Sequence, residues 1–158
     1  MISKKKILGL INSRITDLDN GLFLVSLTTT PSNDIRVEID KHEGGVSVMD
    51  CASVSRNVEH NLDRQKEDFN ITVSSAGLDK GLRVFPQYKK NIGREVRVKL
   101  KEGKKIRGKM ILATPVEIKI QSTEKKRIEG KKKKETVIEE RILKMEDIHE
   151  TKVVVSFK

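Results

Sequence analysis

The amino-acid sequence predicts an α+β protein of two small domains, an N-terminal α-β-β-α-β layer over residues 1–82 and a C-terminal β-barrel over residues 83–158. Three observations predict it. Helical and strand spacing of apolar residues alternate through the first half, whereas the second half after one short helical turn shows strand spacing alone. With 35% apolar and 35% charged residues, no Trp, one Tyr and four Phe, the chain suits two modest aliphatic cores better than one thick core. Charge divides in the same place. Residues 1–79 hold 9 Lys plus Arg against 12 Asp plus Glu, whereas residues 80–158 hold 24 against 11, so the whole basic excess follows the midpoint.

In "KKKILGLINSRITDLDN" the residues Ile7, Leu8, Ile11, Ile15 and Leu18 repeat at three and four, the stripe of an amphipathic helix that Asn20 and Gly21 end. The strand "LFLVSLTTT" follows, "PSND" turns, and "DIRVEIDK" alternates Ile35, Val37 and Ile39 inward with Arg36, Glu38 and Asp40 outward. After the turn "HEGGVSV", Asp50 is expected to cap a helix carrying Val54, Val58 and Leu62 at every fourth position. "FNITVS" is a third strand. Two helices on one sheet result.

The second half opens with "FPQYKKNIG", one short helical turn, and continues as short alternating strands. Val96, Val98 and Leu100 point inward while Arg97, Lys99 and Lys101 point outward; Gly103 makes a hairpin turn and Gly108 permits a mid-strand bend. This spacing, G-x-x-V-x-V-x-L-x-x-G-x-x-x-x-G, resembles the first motif of SH3-like and Sm-like barrels. "KMEDIHE", before the last strand, fits the one-turn helix of such barrels. The run "EKKRIEGKKKKE", lengthening one barrel loop from Glu124 to Lys134, is expected to be a solvated loop with no specific role, because blocks of like charge repel.

Between the halves lies "ITVSSAGLDKGL", where a strand gives way to small residues and two spaced leucines. A free linker is richer in Gly, Ser and charge. Leu78 and Leu82 are instead expected to dock, Gly77 to take a positive φ, and Asp79 to accept bonds from following amides, giving a fixed joint of Ser74, Ser75, Gly77, Leu78, Asp79 and Leu82. Here the chain resembles the ribosome maturation factor RimP family, whose joint runs Ser-Ser-Pro-Gly-Leu-Asp-Arg-Pro-Leu against Ser74 to Leu82. The family's Ile-Asp-Lys strand end, Gly-Gly-Val turn and Asp-Cys helix opening match Ile39 to Lys41, Gly44 to Val46, and Asp50 with Cys51. The family's two prolines are replaced by Ala76 and Gly81.

The resemblance implies a cytoplasmic, monomeric, non-enzymatic assembly factor for the free 30S ribosomal subunit. It would aid 16S rRNA folding and the addition of small-subunit ribosomal protein number twelve, with no cofactor or small-molecule substrate. The residues support part of this independently. Phosphate neutralisation needs Lys and Arg on a rigid frame, and Arg94, Arg97, Lys99, Lys104, Lys105, Arg107 and Lys109 supply it, with Lys80, Arg83, Lys89 and Lys90 beside the joint. Only Phe85 and Tyr88 are aromatic there, so backbone and shape contact fits better than base reading.

Other classes find less support. Cys51 is the single cysteine, so no internal disulfide forms, and no local His or acid pattern makes it a nucleophile. His42, His60 and His149 lack metal-ligand spacing, and "KEGKKIRGK" lacks the Lys-Ser/Thr ending of a phosphate-binding loop. No apolar run approaches a membrane span, and the basic-then-apolar start is broken by Asn12, Ser13 and Arg14. A ring-forming Sm-like RNA chaperone and an enzyme with a site hidden between domains are the alternatives.

Overall fold

The structure, a computed structural model, describes residues 1–77, 80–127 and 134–154, with 124–127, 134 and 135 by backbone alone. The chain divides into two compact units, Met1–Gly77 and Leu78–Lys158.

In the first unit α1 (Lys4–Leu18) leads to strands β1 (Leu22–Thr29) and β2 (Asp34–Lys41), then α2 (Val48–Asn61) and β3 (Asn70–Ser75). The order expected from periodicity is therefore present. The sheet runs β1-β2-β3, with β1 antiparallel to β2 but β2 parallel to β3. A parallel pair needs a crossover, and α2 provides it. Ile35, Val37 and Ile39 are buried as their alternation requires, and they join Ile7, Ile11, Val54, Val58 and Phe69 in one core. Side-chain bonds tie the helices across that core: Asn57 Nδ2 donates to Leu10 O at 2.8 Å, and Arg14 donates to Asn57 Oδ1 at 3.1 Å. Leu8, expected on the apolar stripe, is instead exposed, because α1 buries only a narrow line through Ile7 and Ile11. Asp19, in the left-handed region at φ 43°, closes α1 just before Asn20.

The cap of α2 also differs from expectation. Ser47 occupies the cap and Asp50 sits three residues on, in a reciprocal capping box: the Asp50 amide donates to Ser47 Oγ at 3.0 Å and the Ser47 amide to Asp50 Oδ2 at 2.9 Å. Asp50 is buried, and it also receives Asn20 Nδ2 at 2.9 Å and faces Lys41 Nζ at 3.1 Å. One carboxylate thus joins the α1–β1 connection, the end of β2 and the start of α2. The Ser47 amide, helped by Lys41 and Asn20, outweighs burial and holds this carboxyl at about 2, below its ordinary 3.8. A depressed folded-state value stabilises the fold above the unfolded value and loses that contribution as pH falls. Asp50→Ala is accordingly expected to destabilise the first unit by about 2 kcal/mol at neutral pH. In urea titrations the difference from the unaltered chain should shrink as pH falls from 3.8 toward about 2. A difference independent of pH would refute this role for the charge.

The second unit holds α3 (Phe85–Lys90), then β4 (Glu95–Leu100), β5 (Lys105–Ala113), β6 (Glu117–Arg127), β7 (Lys134–Lys144), a 3-10 turn (Met145–Asp147) and β8 (Ile148–Val153). They form a five-stranded antiparallel sheet in the order β7-β6-β5-β4-β8. No pairing between β7 and β8 closes it among the described residues. Val96, Val98, Met110, Ile118, Ile120 and Val153 line its inner face, over which Tyr88 of α3 and Leu82 pack. Gly103 turns at φ 101°. Gly108 is needed for a different reason from a bend alone: a Cβ there would lie 2.5 Å from Ile120 Cγ2 and 2.7 Å from Gln121 O on β6. A register shift between Met110 and Leu112 follows directly.

The lysine-rich segment departs from the loop expected of it. Glu124–Arg127 and Lys134 continue the β6–β7 ladder, which pairs without a shift from Glu117↔Lys144 to Arg127↔Lys134. Backbone pairing extends the hairpin through residues whose charge pattern reads as coil; residues 128–133 lie outside the described residues.

Candidate nucleic-acid interface

Alternation along β4 sends Val96 and Val98 inward and leaves Arg97 and Lys99 exposed; β5 does the same with Lys105, Arg107 and Lys109. Antiparallel register then brings cations together. Arg97 lies directly opposite Arg107, and Lys99 opposite Lys105. On its other side Arg97 faces Lys152 of β8, and Lys99 faces Glu150. Three strands therefore present one basic, solvent-facing surface.

Some of that charge is already answered. Glu95 takes Arg107 in a two-pronged pair, Nε to Oε1 at 2.8 Å and NH2 to Oε2 at 3.2 Å. The Arg107 hydrogen bond holds the Glu95 carboxyl below its ordinary range, and Glu95 in turn raises Arg107. Glu150 lies 3.4 Å from Lys152. Arg97, Lys99, Lys105 and Lys109 form no ion pair with a described residue.

The remaining cations singled out by sequence fall elsewhere. Lys104 is exposed in the β4–β5 turn, and Arg94 precedes β4 with its amide bonded to Asn91 O at 3.1 Å. Lys89 and Lys90 end α3, Lys89 exposed and Lys90 half-buried, and take no part in the strand register of β4, β5 and β8. Arg83 lines a cleft of about 400 Å³ with Leu82, Phe85, Tyr88, Met145 and His149. Lys80 is exposed in the segment before it. Tyr88 is no stacking platform: it is buried, donates to Thr151 Oγ1 at 3.0 Å, and burial pushes its hydroxyl above the ordinary value. Phe85 is half-buried.

Of the joint, Ser74 and Ser75 close β3 opposite Glu38 and Ile39, and the Ala76 amide continues to Ile39 O at 2.9 Å. Gly77 ends the first unit, while Leu78 and Asp79 lie outside the described residues. Leu82 is buried in the second unit's core, its amide bonded to Thr151 O at 2.7 Å. Gly81 runs so close to β8 that a Cβ would meet Glu150 Cγ at 2.9 Å.

Lys152 is the cation that sequence reasoning missed. It belongs to the face only through the β4–β8 pairing, although its alternation with Thr151 and Val153 is a readable signal. Among the described residues no cluster of three or more His, Cys, Asp or Glu could hold a metal ion, and no helix is long and apolar enough to cross a membrane.

A family model, the RimP N-terminal domain, matches residues 10–79. Relatives match along most of the chain. The "Ribosome maturation factor RimP" of Christiangramia forsetii is 42% identical over 144 residues, covering 91% of this chain and 93% of its own. That of Flavobacterium psychrophilum is 32% identical over 157 residues, covering 99% and 100%. That of Porphyromonas gingivalis is 31% identical over 148 residues, covering 94% and 95%. Similarity of this extent, spanning the acidic unit and the basic sheet alike, means that the chain belongs to the RimP family.

Proposed function

We propose that this chain is a non-enzymatic ribosome maturation factor of the cytoplasm that binds the free 30S subunit. It holds 16S rRNA against the outward face of the second unit and favours the addition of small-subunit ribosomal protein number twelve. The names of its relatives support the maturation role. The observation that carries the RNA contact is the opposition of Arg97 to Arg107 and Lys152, and of Lys99 to Lys105. Like charges directly across a sheet destabilise it unless a counter-charge arrives, and a phosphate backbone supplies that counter-charge. In this reading the sheet curls as an SH3-like barrel about Gly108 and the Met110/Leu112 shift, giving the basic face its curvature. The acidic first unit, repelled by rRNA, is free to meet basic ribosomal protein.

A binder speeds assembly only by preferring one conformation, so it must bind the incomplete subunit more tightly than the finished one. In a strain lacking the chain, density gradients are expected to show free subunits accumulating at the expense of assembled ribosomes. Precursor 16S rRNA should persist, most of all in the cold. Unchanged subunit ratios with fully processed 16S rRNA would sink the assignment.

A further inference from the structure

We propose that the corner of the first unit where α1 turns into β1, beside the start of α2, is a docking surface for a basic ribosomal-protein segment carrying an apolar side chain, with Val48 and Met49 as its anchors. This rests on the reading that the acidic unit meets ribosomal protein, and it names the place. Val48 is 85% exposed and Met49 69%, whereas Val54 and Val58 of the same helix are wholly buried. The buried stripe of α2 runs Asp50, Val54, Val58, so packing asks for nothing apolar at 48 or 49. Helix propensity does not ask for Val48 either, because a β-branched side chain loses rotamer freedom there. Large apolar side chains left side by side in water, with polar residues around them, mark a contact surface.

The corner is fixed from beneath. Asp50 receives the Ser47 amide and Asn20 Nδ2 and faces Lys41 Nζ, while the His42 amide donates to Gly21 O at 2.9 Å. Anchors held in this way lose little freedom on binding. Ahead of them Gly44 and Gly45 leave open space, since a Cβ at either meets nothing within 4 Å. Charge then chooses the occupant. Asp19 and Glu43 are exposed, they adjoin Asn20 and His42 in sequence, and neither forms an ion pair with a described residue. Lys41, at the end of β2, is already taken by Asp50. The opening of a helix ordinarily draws an anion, but here the capping box has placed the Asp50 carboxylate there and two more carboxylates flank it, so an rRNA phosphate is repelled. A basic protein segment is attracted, and the flexible thioether of Met49 adapts to its apolar side chain.

Binding kinetics of the full chain test the proposal, with small-subunit ribosomal protein number twelve as the probe and free 16S rRNA as the comparison. Val48→Ser with Met49→Ser is expected to weaken protein binding about 30-fold, mainly through faster dissociation, and to leave rRNA binding and the urea midpoint of the first unit unchanged. Asp19→Asn with Glu43→Gln should instead slow association with the protein and reduce its dependence on salt. A photoreactive label on Val48→Cys, made together with Cys51→Ala, should attach to the ribosomal protein in a mixture of chain, protein and rRNA. If the Val48 and Met49 variant binds the protein as the unaltered chain does, or loses both probes equally, the docking surface is overturned and the maturation role stands. Label on rRNA or on a second copy of the chain would overturn the choice of occupant. An unaltered chain that does not bind the protein at all would overturn the reading beneath the proposal, and the proposal with it.

Discussion

Reversing Arg97 and Lys99 together to Glu is expected to weaken binding to free small subunits by about 100-fold at moderate salt and to flatten its salt dependence. Both side chains stand on a three-strand frame whose register fixes their spacing to Arg107, Lys105 and Lys152. Every phosphate no longer neutralised lowers the slope of log affinity against log salt by about 0.9, so the flattening distinguishes a missing ion pair from a damaged fold. The control is neutralisation of Lys131 to Lys134 by Gln, which changes net charge by the same four units at positions outside β4, β5 and β8. Its expected loss is under tenfold, the size of a diffuse attraction. Equal losses from the two variants would mean that net charge alone binds the subunit.

Gly108→Ala is expected to cost the second unit about 3 kcal/mol, the upper range for overpacking. A methyl group there meets not only Ile120 Cγ2 at 2.5 Å but also Gln121 O at 2.7 Å, a backbone atom held in the β5–β6 ladder. Side-chain repacking cannot relieve the second clash. Trimming Ile120 to Ala in addition should therefore lower stability further rather than rescue it. Thermal unfolding followed in the second unit would show the loss as a drop of about 10–20 °C. A variant melting with the unaltered chain would mean that β5 and β6 separate easily at this point.

The element order is legible because each core position declares itself by spacing: Ile35, Val37 and Ile39 at two, Val54 and Val58 at four. What spacing cannot carry is partnership between strands. The parallel pairing of β2 with β3 has no local signature, and neither has the placement of Lys152 beside Arg97. Asp50 reads as the cap of α2 in place of Ser47 because Ser-x-x-Asp satisfies the same two backbone groups from either end. The lysine-rich run misleads because side-chain charge argues for coil while the β6–β7 ladder depends on backbone bonds. Among the candidate site residues, alternation alone locates the five cations of β4 and β5. It says nothing of Lys89 and Lys90, which belong to the short helix α3 rather than to a strand.

The pairing of β8 with β4 also orders events in time. β4 is the first strand of its sheet and β8 the last described strand to be synthesised, yet Val96 and Val153 are neighbours. The first unit can complete its fold on a growing chain, since β3 closes it by residue 77. The second must wait with β4 bare on one side until β8 arrives, a long loop closure that slows folding. A nascent chain therefore displays its acidic unit, and then the cations of β4 and β5, before Lys152 of β8 joins them.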